Sequence, residues 1–297
     1  MDQAQWNRLL VVLRRVARSL GRLPRHTYSD FLIARLYFWA VLHDRPMTWA
    51  LDPVHYNRLF RPRQRPSVSQ LHRRIASDRF ARLLQRLHDR LAGTNDPPVA
   101  GSLCIDGHAL CVSPVSQDRD ARRGHVPGGL AKGYKLHAMV SRDRKIPVFC
   151  VLPLNRHEMP VARAMLTHLP AVHPGTLVLA DGNYDAHVLH KDVAARGGWL
   201  VTRPRGRGRH PVTRRQMGPA RRTLIDLWEH QPRLMRRIYR ERNRIEQVFG
   251  HLRCTPGLLG PLPCFVRGLT RVRRWVGAKI TLYHARAEAK TILKSRR

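Results

Sequence analysis

The sequence predicts a mixed α/β fold, a sheet with helices on its faces, preceded by a small all-helical region. Three observations lead there. Residues 1–92 carry their apolar positions at helical spacing. A polar, proline-containing stretch, Gly93-Thr94-Asn95-Asp96-Pro97-Pro98, then interrupts the pattern. Beyond it the apolar runs shorten to strand length and alternate with helical stretches in the order β-β-β-α-β-α-β-α. The division predicted is therefore residues 1–95 as one helical domain and 96–297 as a second, sheet-containing domain that ends in a basic helix.

The first two helices are read from the periodic stretches Trp6 to Leu20 and Tyr28 to Leu42. A third begins after Pro66, where Ser67 and Ser69 are good N-cap residues ahead of Gln70-Leu71-His72-Arg73-Arg74-Ile75, and a fourth runs from Phe80 to Leu91. Arg61, Arg63 and Arg65 with Pro62 and Pro66 make a rigid, basic approach to the third helix. A short helix after a turn, carrying Gln70, Arg73 and Arg74, has the character of a helix-turn-helix element that reads a DNA groove. The plainer reading is a bundle whose arginines are simply solvated.

In the second half, Ser102-Leu103-Cys104-Ile105 reads as a short buried strand that ends at Asp106. Tyr134 to Val140 and Ile146 to Leu152 read as two strands joined by the turn Arg142-Asp143-Arg144-Lys145. Glu158 to Leu169 is helical. Thr176 to Ala180 is a continuous apolar run, as a buried central strand requires, and it ends at Asp181. His187 to Arg196 reads as a helix and Trp199 to Thr202 as a strand. Helices follow through Leu252, and Val266 to Lys290 is a last basic helix.

Charge is the dominant compositional feature. The chain has 55 Lys and Arg against 20 Asp and Glu, a formal net charge of +35, with 43% hydrophobic residues. That apolar content supports a packed core, so a basic disordered tail is excluded, and the surplus points to a polyanionic partner whose phosphates it neutralises. The most apolar run, Asp30 to Leu42, is too short to span a bilayer and contains Arg35, so no membrane role is expected. No cleavable leader pattern is read at the start. The five cysteines form no Cys-x-x-Cys pair, which argues against a disulfide framework and structural zinc and fits a reducing cytosol.

The stretch Tyr239 to Arg253 carries the chemistry. At about 100° per residue, Tyr239, Arg242, Glu246 and Arg253 fall within roughly 60° of one another on an ideal helix. Ile238, Ile245, Val248, Phe249 and Leu252 form the adjoining apolar stripe, into which Glu241 projects as a mismatch. Asp106 and Asp181 each end a strand and each precede a glycine, and functional groups in open α/β sheets gather at strand ends. Taken singly, each acid reads as a turn or cap residue. Together, Asp106, Asp181 and Glu246 suggest a divalent metal site, since Mg²⁺ takes oxygen ligands and binds through a few carboxylates and substrate phosphate. Two such ions about 4 Å apart are suited to in-line phosphoryl displacement.

At these residues the sequence resembles the DDE transposases of bacterial insertion sequences, whose catalytic core is ribonuclease H-like. Their motif of Tyr, two residues, Arg, three residues, Glu, six residues, then Lys or Arg is matched at Tyr239, Arg242, Glu246 and Arg253. Ile105-Asp106-Gly107, Lys132-Gly133-Tyr134-Lys135-Leu136-His137, Leu152 to Glu158 and Leu179-Ala180-Asp181-Gly182-Asn183-Tyr184 resemble other family segments. The departures are Arg253 for the commoner Lys, and Asn183 where relatives often have Gly or Lys.

The resemblance implies a ribonuclease H-like mixed sheet. It makes Asp106, Asp181 and Glu246 ligands of two Mg²⁺ ions, with Mn²⁺ an alternative, and puts Tyr239, Arg242 and Arg253 on DNA beside the scissile phosphate. It further implies cut-and-paste transposition, double-stranded DNA partners (terminal inverted repeats and target), a homodimer or larger assembly on DNA, and a cytoplasmic, nucleoid-associated bacterial location. Two other readings stay open: a metal-dependent nuclease or resolvase of the same fold, and a non-catalytic DNA-binding relic.

Lesser candidates read more plainly. Asp118 and Asp120 in an Arg-rich loop are taken as solvated or Arg-paired, and Asp143 as a turn residue. His137 and His157 are candidates to line the site, though a lone histidine is more often structural. Asn155 and Glu158 fit a helix start. Arg203 to Arg209 reads as a DNA-contacting loop.

Overall fold

The computed structural model describes residues 1–21, 27–94, 101–169, 172–204 and 217–294. Most of the predicted linker, from Asn95 to Pro98, and Arg205 to Arg209 of the arginine-rich stretch lie outside the described residues. The chain divides into two compact units, Met1–Thr94 with Leu252–Arg297, and Asn95–His251.

The first unit is helical. It contains α1 (Gln3–Ser19), α2 (Asp30–Leu42), α3 (Met47–Leu51), α4 (Val68–Ala76), α5 (Asp78–Ala92) and the long α11 (Leu269–Lys294). Local chemistry sets the starts: Asp2 and Gln5 form a reciprocal cap on α1, and Ser67 and Gln70 do the same on α4. Between the two serines proposed for α4, the structure uses Ser67. The run from Ile33 to Leu42 is apolar on nearly all sides because α2 lies inside the unit, where Trp39 stacks on Phe60 at 4.8 Å and meets Trp6 edge-on at 5.6 Å. Asp30, in the first turn of α2, takes Arg74 at 2.5 Å and Arg79 at 2.7 Å.

The last helix departs from the expected organisation. Residues 252–297 were assigned to the sheet-containing half, yet α11 folds into the helical unit. Its interior is apolar on several sides (Val272, Val276, Ile280, Leu282, Ala285), so it needs a surrounding core rather than one sheet face. Its buried cations find partners in the same unit: Lys279 on Asp44 at 2.7 Å, and Arg286 on the Pro256 carbonyl at 2.8 Å. Arg8 of α1 pairs with Glu288 at 2.6 Å. No described helix is long and apolar enough to cross a membrane.

The second unit is built on a six-stranded mixed sheet. Its strands are β1 (Ser102–Cys111), β2 (Arg122–Val126), β3 (Gly129–Ser141), β4 (Val148–Pro153), β5 (Leu177–Leu179) and β6 (Trp199–Val201). β1 is antiparallel to β3 and parallel to β5, which is parallel to β6. β2 and β4 share the far edge of β3: β2 pairs with Gly129 to Gly133 and β4 with Tyr134 to Met139. Strands alternate with α6 (Glu158–His168), α7 (His187–Ala194), α8 (Pro219–His230), α9 (Pro232–Tyr239) and α10 (Asn243–Cys254). This is the expected mixed sheet flanked by helices.

Two strand expectations change. β1 does not stop at Asp106 but continues to Cys111, because β3 pairs with it along its whole length from Leu103 to Cys111. β2 was not anticipated, since Arg122-Arg123-Gly124-His125-Val126 is basic and lacks apolar alternation, and it forms by pairing with the start of β3. Gly133 sits where these strands crowd: a Cβ there would lie 2.3 Å from the Leu110 carbonyl oxygen, so only glycine fits that position of the Lys132 to His137 segment.

One sheet face is closed by α6 and α7 over Leu103, Ile105, Met139, Val178 and Leu200. Asp118 is not solvated as expected: it is buried and accepts the Tyr134 hydroxyl at 2.6 Å, tying the loop before β2 to β3. Asp143 does serve the turn, accepting from the Ser141 hydroxyl. His137 is 1% exposed, and neither ring nitrogen has a partner among the described residues. Burial, assisted by Lys135, lowers its pKa to about 4.

Two outcomes are expected. His137 is neutral in the folded chain and titrates near 6.5 when unfolded, so its contribution is complete above pH 6.5 and is lost as pH falls toward 4. Denaturant unfolding across that window should show His137→Leu losing less stability than the parent, by up to about 3 kcal/mol. Asp30→Ala leaves two half-buried guanidinium groups without a counter-charge and should cost about 3 kcal/mol in the same measurement.

Candidate active site and nucleic-acid surface

The site forms because β1 outruns its parallel neighbour. The parallel pairing ends at Cys104 with Leu179, so Asp106 and Asp181 each lie two residues past the last pair. Along β1, side chains alternate between faces. Leu103 and Ile105 enter the core beneath α6 and α7, while Cys104, Asp106 and His108 face the segment from Glu241 to Phe249.

That segment is not one continuous helix, contrary to the helical projection. α9 ends at Tyr239, Arg240–Arg242 form a 3-10 turn, and α10 begins at Asn243. Glu241, the misfit in the apolar stripe, explains the break. Its carboxylate accepts from the Ser102 hydroxyl at 2.7 Å and from Arg244 at 2.8 Å, and its carbonyl accepts from the Cys104 thiol at 3.3 Å. Glu241 therefore anchors the turn to the start of β1. Ile245, Val248 and Phe249 of α10 are buried, and Phe249 stacks on His108 at 5.2 Å.

Anchoring the turn places Arg242 against the acids. Its Nη1 donates to Glu246 Oε1 at 2.6 Å and its Nη2 to Asp106 Oδ2 at 3.3 Å, while its Nε is buried without a partner among the described residues. The other oxygen of Asp106 accepts from the Gly107 amide at 2.8 Å. Burial above all pushes the Asp106 carboxyl up to about 6. The charges of Asp181 and Glu158 add to the rise, and the Gly107 amide and Arg242 oppose it. Asp181 caps a 3-10 turn, Gly182–Tyr184, accepting from the Asn183 amide at 2.8 Å and the Asn183 side chain at 3.1 Å. Asn183, the departure from the family pattern, thus holds the second aspartate.

Three neighbours, Lys135, Glu158 and Tyr184, were not assigned to the site from sequence. Glu158 opens α6 as expected, but its carboxylate also reaches into the site, where Lys135 holds it at 2.9 Å. Gly107 leaves room for that pair, since a Cβ there would meet Lys135 Cδ at 2.9 Å. Tyr184 is fully buried with no partner for its hydroxyl among the described residues. Burial raises its pKa, and the charges of Glu158, Asp106 and Asp181 raise it further. The sequence signal was weak in each case, because all three lie in segments that also serve as strand, cap or core.

As donors, these residues fit a hard divalent cation: oxygen ligands, a carboxyl whose pKa is raised chiefly by burial, and a guanidinium standing in as the cation between Asp106 and Glu246. They do not form a closed cage. Among the described residues, no three His, Cys, Asp or Glu groups are grouped closely enough to hold a metal ion. Glu246 is mostly exposed and is held by Arg242 alone among the described contacts.

The remaining expected residues are spread. Tyr239 is half-buried, with Arg203 over its ring at 5.2 Å and Trp228 edge-on at 5.9 Å. Arg253 is exposed on the last turn of α10. In the helical unit, Arg73 is exposed on α4, and Gln70 is exposed while accepting the Ser67 amide at 2.9 Å as a cap. Arg74 instead turns inward, donating to Asp30 and to the Tyr28 carbonyl at 2.9 Å, because Asp30 offers it a counter-charge. It is not presented to a ligand. His157 is exposed at the N-cap of α6.

Residues 99–255, more than half of the chain, match the family described as the transposase DDE domain. No curated relative matches the chain. Among solved structures it is similar to a piggyBac transposase seen by cryo-EM in a synaptic complex with hairpin DNA. That likeness covers 99% of this chain and 74% of that one, at 13% identity and a TM-score of 0.42.

The anchor of the 3-10 turn is directly testable. Glu241→Ala removes two side-chain hydrogen bonds to a half-exposed carboxylate and should lower stability by about 1 kcal/mol. Amide hydrogen exchange should rise in Arg240 to Ile245 before it rises in β3; uniform exchange across the unit would show that Glu241 is not the local anchor.

Proposed function

We propose, on the premise that this chain belongs to the DDE transposase family, that it binds the ends of a mobile element and catalyses metal-dependent DNA strand cleavage and strand transfer. The observation that carries the proposal is the placement of Asp106 and Asp181 just beyond the last pair of β1 and β5, with Glu246 tied through Arg242 to the same aspartate.

In this reading Asp106, Asp181 and Glu246 hold Mg²⁺, or Mn²⁺ in its place. Held by these carboxylates, a divalent ion would supply Lewis-acid activation of the attacking oxygen and charge neutralisation at the leaving oxygen. The chain's own groups position the phosphate. Asn183 fixes the Asp181 carboxylate, Lys135 holds Glu158 beside Asp106, and Arg242 and Tyr239 present a guanidinium and a phenol to the DNA backbone. Cleavage is attack of water on an end phosphodiester, which breaks the P–O bond to the 3′ oxygen and frees a 3′-OH. Joining is attack of that 3′-OH on a target phosphodiester, which releases a target 3′-OH. No protein nucleophile is required.

Element ends would be read by the helical unit through the exposed face of α4, with Gln70 and Arg73 as the groups offered. Arg253 adds a further cation for the backbone. Two copies of the chain holding two ends is the assembly this reaction requires, and a cytoplasmic, nucleoid-associated location follows from its substrate.

The test is Mg²⁺-dependent cleavage and joining of DNA carrying the ends that flank the gene. Asp181→Asn keeps an oxygen to cap the Gly182–Tyr184 turn, so its unfolding midpoint should stay within about 1 kcal/mol of the parent while cleavage and joining fall to background. Glu246→Gln should still bind end DNA and not cut it. Undiminished cutting by either variant would refute the assignment. Cutting without joining by the parent would instead identify a nuclease.

A further inference from the structure

Tyr239, Arg242 and Asn243, with Arg203, Arg236 and Arg240, line a cavity of about 400 Å³ in the sheet-containing unit. Arg203, Arg236 and Arg240 are exposed, and none has a carboxylate partner among the described residues. Three exposed guanidinium groups lining one cavity concentrate positive charge there, and their forks match the tetrahedral oxygens of a phosphate.

Arg242 stands at the boundary of this cavity and the carboxylate site. It lines the cavity, its Nη1 and Nη2 are spent on Glu246 and Asp106, and its Nε is buried without a partner among the described residues. A cation in that position offsets the acids and competes with any metal ion for the same oxygens.

We propose that Arg242 is a two-position side chain that couples DNA binding to metal binding, a step that rests on the reading of Asp106, Asp181 and Glu246 as metal ligands. In the chain without DNA, its guanidinium stands in for the metal between Asp106 and Glu246. A backbone phosphate seated among Arg203, Arg236 and Arg240 offers the guanidinium a new partner, draws it off the carboxylates and frees them for the ion. The metal site then assembles on DNA, and by linkage bound metal tightens DNA binding by the same factor.

The experiment measures Mn²⁺ binding to the full chain by electron paramagnetic resonance of the free ion. Sulfate serves as a tetrahedral probe of the cavity, and a 20-base-pair duplex, corrected for its own Mn²⁺ uptake, serves as the DNA. Without either anion, Arg242→Gln should bind Mn²⁺ at least tenfold more tightly than the parent. Arg242→Lys, whose single ammonium cannot span both carboxylates, should lie between them and supplies the answer should the glutamine variant fold poorly by circular dichroism.

Sulfate and duplex should each tighten Mn²⁺ binding by the parent, and neither should do so in the Arg203→Gln, Arg236→Gln, Arg240→Gln triple variant. Tightening by sulfate alone would identify a free-anion site and overturn the DNA coupling. Equal or weaker Mn²⁺ binding by both Arg242 variants would overturn the stand-in role. Mn²⁺ binding that is identical in the parent and in Asp181→Asn under every condition would instead remove the metal-site reading on which the proposal rests.

Discussion

A carboxylate half-removed from water beside other carboxylates is costly unless positive charge is held near it, and the sheet-containing unit is arranged around that constraint. β5 is three residues long where β1 is ten, so the parallel half of the sheet stops while β1 continues, and Asp106 and Asp181 emerge together at the step. Burial, with a smaller contribution from the Asp181 charge, raises the Asp106 pKa, and the chain answers with Arg242, which the Glu241 anchor delivers by tying the 3-10 turn to Ser102 and Cys104. The short strand, the helix break and the placed arginine are parts of one solution.

Much of this was legible in the sequence because the signals were local. The apolar run before Asp181 read as a buried strand, the Ser67–Gln70 pair is a helix start, and the spacing of Tyr239, Arg242 and Glu246 marked the segment in which Arg242 meets Glu246 and Asp106. What was not legible depended on partners distant in the chain. An ideal helical projection of Tyr239 to Arg253 has no place for the 3-10 turn, because the bonds that create it reach back to Ser102, 139 residues away from Glu241. β2 has no apolar pattern of its own and exists through β3. α11 reads as a basic helix, and its membership of the helical unit follows from burial and from ion pairs such as Arg8 with Glu288, which are separated by 280 residues.

Arg74 shows the same limit at the level of one side chain. Beside Arg73 on α4 it looked equally available to DNA, but the two point differently, and only Arg74 meets Asp30. A run of arginines on a helix specifies charge, while the position of the nearest acid decides which members remain free.

That principle extends to the chain as a whole and gives the acids their meaning. With 20 acidic groups against 55 Lys and Arg, a carboxylate here is surrounded by candidate partners, and most of the well-placed ones are taken as anchors. Asp30 holds two arginines, Asp118 a tyrosine, Asp185 both Arg221 and His190, and Glu241 the 3-10 turn. Asp181 is different: among the described residues its partners are the Asn183 backbone amide and the Asn183 side chain, neutral groups that orient a carboxylate without discharging it. Asp106 and Glu246 share a single guanidinium between them. In so basic a chain, three acids that share one cation among the described contacts mark a local shortfall of positive charge, and under the proposed function that is where a divalent ion with a preference for oxygen ligands would be held.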